Sequence, residues 1–94
     1  MALKKVIISG LAKKELKKVP IHIARKLLTW VDAVELEGIE EVRNCRGYHD
    51  EPLSGKRRGQ HSIRLSRGYR AIYTVVNQGH EILVEIEEVS KHDY

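Results

Sequence analysis

Phenylalanine is absent from these 94 residues, tryptophan occurs once, and aromatic residues make up only 5% of the chain. A core made from this material must rest on Ile, Leu and Val. Cysteine is nearly absent too. Cys45 is the single one, so an internal disulfide is excluded, and no second thiol stands by to form a cysteine-based metal site. The expected setting is the reducing cytoplasm. No apolar run approaches the roughly 18 residues that a membrane-crossing helix requires. The opening MALKKVIISG lacks the long apolar stretch of a secretory signal. Repeats, low-complexity tracts and linkers are missing as well. A hydrophobic content of 41% with ordered periodicity argues against disorder. One small domain spanning residues 1–94, with one core, is the expectation.

Acid is missing from one long stretch. GKRRGQHSIRLSRGYR, Gly55–Arg70, holds six Lys or Arg side chains and no Asp or Glu. The formal net charge of +4 hides an alternation of blocks. Residues 1–26 carry +7, residues 32–51 carry −5, residues 56–70 carry +6 and residues 81–94 carry −4. Two basic blocks brought together by folding make a face that favours polyanions, nucleic acid first. A charge-rich strand edge also discourages sheet aggregation, and lysine-rich helices are soluble whatever they bind.

Periodicity predicts the order β-α-α-β-β-β, an α+β fold. LKKVII at residues 3–8 reads as a strand, and Ser9 stands where a helix N-cap belongs. In GLAKKELKKV, Leu11, Ala12, Glu15, Leu16 and Val19 share one side, while Lys13, Lys14, Lys17 and Lys18 take the other. Pro20 ends that helix and suits the first turn of the next. Ala24, Leu27, Leu28, Val31 and Val34 then form a second apolar stripe, with Trp30 near its edge as a packing residue. The pattern stops at Gly38, and residues 38–60 read as an irregular connection. A connection that long often carries function. The period then changes to two. His61, Ile63 and Leu65 alternate with Ser62, Arg64 and Ser66, and SRG at 66–68 is a turn. Tyr69, Ala71, Tyr73 and Val75 alternate with Arg70, Ile72, Thr74 and Val76, and NQG at 77–79 is a second turn. EILVEIEEV supplies the last strand, with Ile82, Val84 and Ile86 on one face. The last three strands form an antiparallel meander, on which the helical hairpin packs.

Side chains two apart on a strand share a face. With Ile63 and Leu65 toward the helices, Arg64 faces outward, and Arg70 shares parity with Ile72 and Thr74. The fixed fork of arginine donors suits phosphate oxygens. Lys56, Arg57 and Arg58 stand directly before this strand. Three further groups are candidate acids or bases: Glu51, His92 and Tyr94. A carboxylate, an imidazole and a phenol near an arginine suffice for metal-free RNA cleavage. One group takes the proton of a ribose 2′-OH, the freed oxygen attacks the adjacent phosphorus, and another group protonates the leaving 5′-oxygen. No paired carboxylates stand at metal-ligand spacing, so neither a metal nor any other cofactor is expected.

EPLSGKRRGQHSIRLSRGYRAIY, followed by a strand and the terminal KHDY, resembles the RelE/ParE superfamily of bacterial toxin–antitoxin toxins, nearest to its RelE, YoeB and HigB-like mRNA interferases. The Pro-Leu pair, the Gly-spaced loop, the SIRL and YRAIY strands and the His/Tyr end stand in the family's order. The early strand and helical hairpin extend the likeness over the whole chain. The resemblance implies a ribosome-dependent endoribonuclease that enters the decoding (A) site of the small ribosomal subunit and cuts mRNA. A cognate antitoxin protein would neutralise it in a hetero-oligomeric complex. It implies Glu51 as general base, Arg70 as the cation that stabilises the transition state, Arg64 as a phosphate contact and Tyr94 as the terminal tyrosine. The RNA-contacting set would extend to Lys56, Arg57, Arg58 and Arg67, with Lys13 and Lys17 on the first helix. This sequence departs from the YoeB-like pattern where Asp93 separates His92 from Tyr94, so which of the three supplies the acid stays open. Ser54 stands where a Lys often follows Pro-Leu. The alternative within the superfamily is a ParE-like toxin that inhibits DNA gyrase and cuts nothing. That branch generally lacks the acid/base set.

Overall fold

The computed structural model describes residues 3–79 and 81–91. The elements are β1 (Leu3–Ile8), α1 (Gly10–Leu16), α2 (Ile21–Glu37), α3 (Ile39–Arg43), β2 (Glu51–Pro52), β3 (Gln60–Arg64), β4 (Tyr69–Gln78) and β5 (Glu81–Lys91). The strands form one sheet in the order β1-β5-β4-β3-β2. β1 lies parallel to β5, and all other neighbours are antiparallel. The α+β arrangement, the helical hairpin and the meander of β3, β4 and β5 agree with the periodicity. Among the described residues no helix is long and apolar enough to cross a membrane.

Ser9 caps α1. Its side-chain oxygen accepts from the Ala12 amide at 3.1 Å, and its hydroxyl donates to the Glu87 carbonyl at 2.9 Å. The cap therefore satisfies a helix-end donor and also ties the helix to β5. Ile23, Leu27, Trp30 and Val34 follow at helical spacing along α2, and all four are buried against the sheet's Ile63, Leu65, Ala71, Tyr73, Val84, Ile86 and Val89. Two expectations are corrected. Leu28 is 49% exposed, and Trp30 has no exposed surface. The buried line passes through residue 30, and Leu28 falls beyond its edge. Trp30 packs on Tyr73 with ring centroids 5.0 Å apart. We expect Trp30→Ala to cost about 3–5 kcal/mol of stability, measured by urea unfolding. Trp30→Phe should cost much less, because the indole Nε1 is buried with no partner among the described residues, and a phenyl ring has no such donor to leave unpaired.

A third correction concerns residues 38–60, which are more ordered than an irregular connection. Gly38 takes φ 94, a conformation that glycine adopts without strain. It ends α2 and starts the single turn of α3, whose Ile39 and Val42 are buried. Short 3-10 turns follow at Arg46–Tyr48 and Gly55–Arg57, on either side of β2. A fourth finding explains the irregular end of EILVEIEEV. Ile72 pairs with Glu88 and Tyr73 with Ile86, which leaves Glu87 as the extra residue of a β-bulge. The bulge shifts the parity by one, so Ile86 and Val89 both reach the core.

Candidate active site

The sheet has one face against the helices and one away from them. Ile63, Ala71 and Tyr73 take the first. Register partners lie on the same face, so the pair Arg64 and Arg70 stands on the second, as strand parity requires. Ile72 lies on that second face and is nevertheless fully buried. Arg57 and Gln60 reach across β4 above it. Arg57 Nη2 meets Glu88 Oε1 at 3.2 Å, Arg57 Nη1 donates to Gln60 Oε1 at 3.3 Å, and the Gln60 amide donates to Glu87. Thr74 Oγ1 donates to the other Glu87 oxygen at 3.0 Å.

Beside this strap the face hollows into a concavity lined by His49, Glu51, Ser62, Arg64, Ser66, Tyr69 and Arg70. Each side chain arrives by a simple local rule. β2 pairs Glu51 with Ser62 on β3. β3 and β4 pair Arg64 with Arg70. The turn between them is closed by the Leu65 and Ser66 amides, which donate to the Tyr69 carbonyl at 2.9 and 3.2 Å, and by the Gly68 amide, which donates to Ser66 Oγ at 3.2 Å. Glu51, Arg64 and Arg70, from three different strands, thus line one hollow. Glu51 and Arg64 are exposed, and Arg70 is half-buried. Arg70 Nε is buried and has no hydrogen-bond partner among the described residues, an arrangement that costs free energy until an acceptor arrives.

The remaining expected contacts are spread out. Lys56 and Arg58 are exposed in and after the second 3-10 turn, and Arg57 there is tied to Glu88. Arg67 is exposed in the turn between β3 and β4. Lys13 and Lys17 are exposed on α1 and at its end. They stand in the helical layer, on the other side of the sheet from Arg64 and Arg70, and do not line the concavity. His92, Asp93 and Tyr94 lie outside the described residues. β5 is paired up to Lys91, which stands opposite Tyr69, with Ser90 opposite Arg70.

His49 was not singled out in the sequence. It takes a left-handed backbone conformation, φ 46, which no local signal announces, and it adds an imidazole to the wall that holds Glu51. A second cluster was missed on the helical face. Asp50 accepts from Tyr73 Oη and lies 2.9 Å from His61 Nδ1, while Arg43 Nε donates to Tyr73 Oη at 3.2 Å. Burial, the largest cause, pushes the Tyr73 phenol above its ordinary pKa; the neighbouring Asp50 carboxylate adds to the rise and Arg43 opposes it. Tyr73 therefore remains a donor. Among the described residues no group of three or more His, Cys, Asp or Glu side chains is arranged to hold a metal ion.

No protein-family model and no curated protein matches the chain. Solved structures do. An archaeal RelE–RelB complex from Pyrococcus horikoshii is similar with a TM-score of 0.69 and 25% identity, over 95% of this chain and 94% of that one. A YoeB/ParE toxin from Agrobacterium tumefaciens is similar with a TM-score of 0.73 and 16% identity, over 95% and 99%. The DinJ–YafQ toxin–antitoxin complex of E. coli is similar with a TM-score of 0.71 and 18% identity, over 96% and 93%. The strand order, the helical hairpin and the near-complete coverage on both sides give this chain the fold of the RelE/ParE superfamily, as seen in the RelE, YoeB and YafQ structures.

Proposed function

We propose that the chain is the toxin of a toxin–antitoxin pair and a metal-independent endoribonuclease that cuts mRNA in the ribosomal A site. The observation that carries this reading is the convergence of Glu51, Arg64 and Arg70 in one concavity. The Glu51 carboxylate accepts the proton of a ribose 2′-OH, and that oxygen attacks the adjacent phosphorus. Arg70 and Arg64 hold the phosphoryl oxygens as negative charge builds on them. The P–O5′ bond breaks, the leaving oxygen takes a proton, and the upstream fragment keeps a 2′,3′-cyclic phosphate. The proton donor in this reading is His92 or Tyr94, which follow the strand that runs beside Arg70. Exposed Lys56, Arg58 and Arg67 extend the basic track for the RNA strand. Several similar structures are toxins bound to antitoxins, which supports a protein antitoxin as the partner of this chain.

The test is cleavage of a defined mRNA on ribosomes by the purified chain, with Glu51→Gln as the control. Gln keeps the shape and loses the base, so cleavage should fall about a hundred- to ten-thousandfold. Activity should also need no ion held by the chain itself. Calorimetric titration of the isolated protein with zinc, manganese or magnesium is expected to show no tight stoichiometric binding. One such site would remove the metal-free mechanism while leaving cleavage itself open.

A further inference from the structure

Glu51 sits on a strand of only two residues. One of them, Pro52, has no amide hydrogen to give to the sheet. Beyond the pairs Glu51–Ser62 and Pro52–His61, the next tie is the Leu53 amide, which donates to the Gln60 carbonyl at 2.9 Å. So short a strand holds its position poorly by itself. The preceding residue supplies what it lacks. The Asp50 side chain is 4% exposed and is held from two sides. His61 and Tyr73, which bind it, are register partners on β3 and β4 and stack with ring centroids 5.2 Å apart.

The donors and acceptors here form a closed ring. A guanidinium can only donate, so Arg43 Nη2, 3.4 Å from His61 Nε2, makes that nitrogen the acceptor. The hydrogen of a neutral His61 is then on Nδ1 and points to Asp50 Oδ1, 2.9 Å away. Tyr73 Oη donates to Asp50 Oδ2 and accepts from Arg43 Nε. Each of the four residues is bonded to the next, and Arg43, whose Nη1 also pairs with Glu40 at 3.2 Å, adds a favourable charge interaction with Asp50. Arg43 ends α3 and Asp50 precedes β2, so the ring pins both ends of the segment between them. It lies on the helical face of the sheet. The concavity, with His49 and Glu51 on its wall, lies on the other face.

We propose that Asp50 is the positioning residue of the site. Its ring with Tyr73, His61 and Arg43 sets Glu51 and His49 at their places opposite Arg64 and Arg70, without touching RNA. The catalytic half of this statement rests on the ribonuclease reading; the positional half does not.

Asp50→Asn and Tyr73→Phe test it. An Asn amide aims hydrogens at a partner that itself donates, and Phe removes the phenol while keeping the ring. Amide hydrogen exchange is read first, in proteins whose β4 amides at Ala71–Val75 stay as protected as in the wild type. The Leu53 amide is expected to exchange about tenfold faster or more, because losing a bond to a buried charge frees the segment locally. Unchanged Leu53 protection in either folded variant overturns the proposal, whether or not the chain cuts RNA. If Asp50→Asn does not fold, Tyr73→Phe decides. The second readout is kinetic. A displacement of about 1 Å lowers rates by as much as about a hundredfold, so kcat is expected to fall by tens of fold with KM little changed. Faster exchange with wild-type kcat rejects the positioning role, and a loss carried entirely by KM does the same. A wild-type chain that cuts no RNA rejects the ribonuclease reading instead, and leaves the exchange result to decide whether the ring holds β2.

Discussion

Arg70→Ala is expected to lower mRNA cleavage by about a hundred- to thousandfold, the loss that follows removal of one preorganised contact to a developing oxyanion. The fold should survive. The side chain stands on the face away from the helices, and the residues that bury the sheet's other face, Ala71 and Tyr73, are untouched. Removing the guanidinium also takes away an unpartnered buried Nε, so stability is not expected to drop with activity. Arg70→Lys separates charge from geometry. It keeps a point charge and loses the planar fork, and its rate should fall between wild type and Ala. Near wild-type cleavage by a folded Arg70→Ala protein would take Arg70 out of the site. Thermal unfolding measured beside cleavage keeps the two effects apart.

Removal of residues 92–94 is the second large effect. A truncation after Lys91 leaves every described pair of β4 and β5 in place, including Tyr69 with Lys91. Thermal stability should therefore change little. Cleavage should nevertheless fall by about a hundred- to ten-thousandfold, the usual contribution of a general acid. The geometric reason is the antiparallel pairing, which brings the end of β5 to the beginning of β4, where Arg70 lies opposite Ser90. Single changes divide the role. His92→Gln should slow the chemical step alone, since an imidazole titrates near neutrality. Tyr94→Ala should also raise KM, since a phenol stacks on bases. Full-rate cleavage by the truncated chain would move the acid elsewhere, with His49 on the same wall as Glu51 as the next group to change.

The two periods of the sequence carried most of the architecture. Parity alone separated Arg64 from Ile63 and Leu65, and Arg70 from Ala71 and Tyr73, and the sheet keeps that division. What stayed hidden has physical reasons. α3 has one helical turn with two buried residues, too few to show a period. The bulge at Glu87 breaks alternation at a point that only the partner strand defines. The placement of Trp30 and Leu28 depended on where the sheet meets α2, which the helix cannot state. The ring of Arg43, Asp50, His61 and Tyr73 joins residues with no common spacing, so only the assembled strands bring it together. His49 reaches the concavity through one left-handed residue in an otherwise ordinary loop. Glu51, by contrast, drew notice because it stands beside Pro-Leu in a recognisable segment, and its two-residue strand places it on the wall of the concavity.

The central claim is that the concavity of Glu51, Arg64 and Arg70 cuts RNA on the ribosome. The most direct measurement adds the purified chain to ribosomes translating a defined mRNA and maps the mRNA 5′ ends by primer extension, with Arg70→Ala in parallel. New ends are expected within codons occupying the A site, present with the wild-type chain and lost with the variant. An intact mRNA in the presence of the folded wild-type chain, together with a block of gyrase supercoiling by the same preparation, would contradict it.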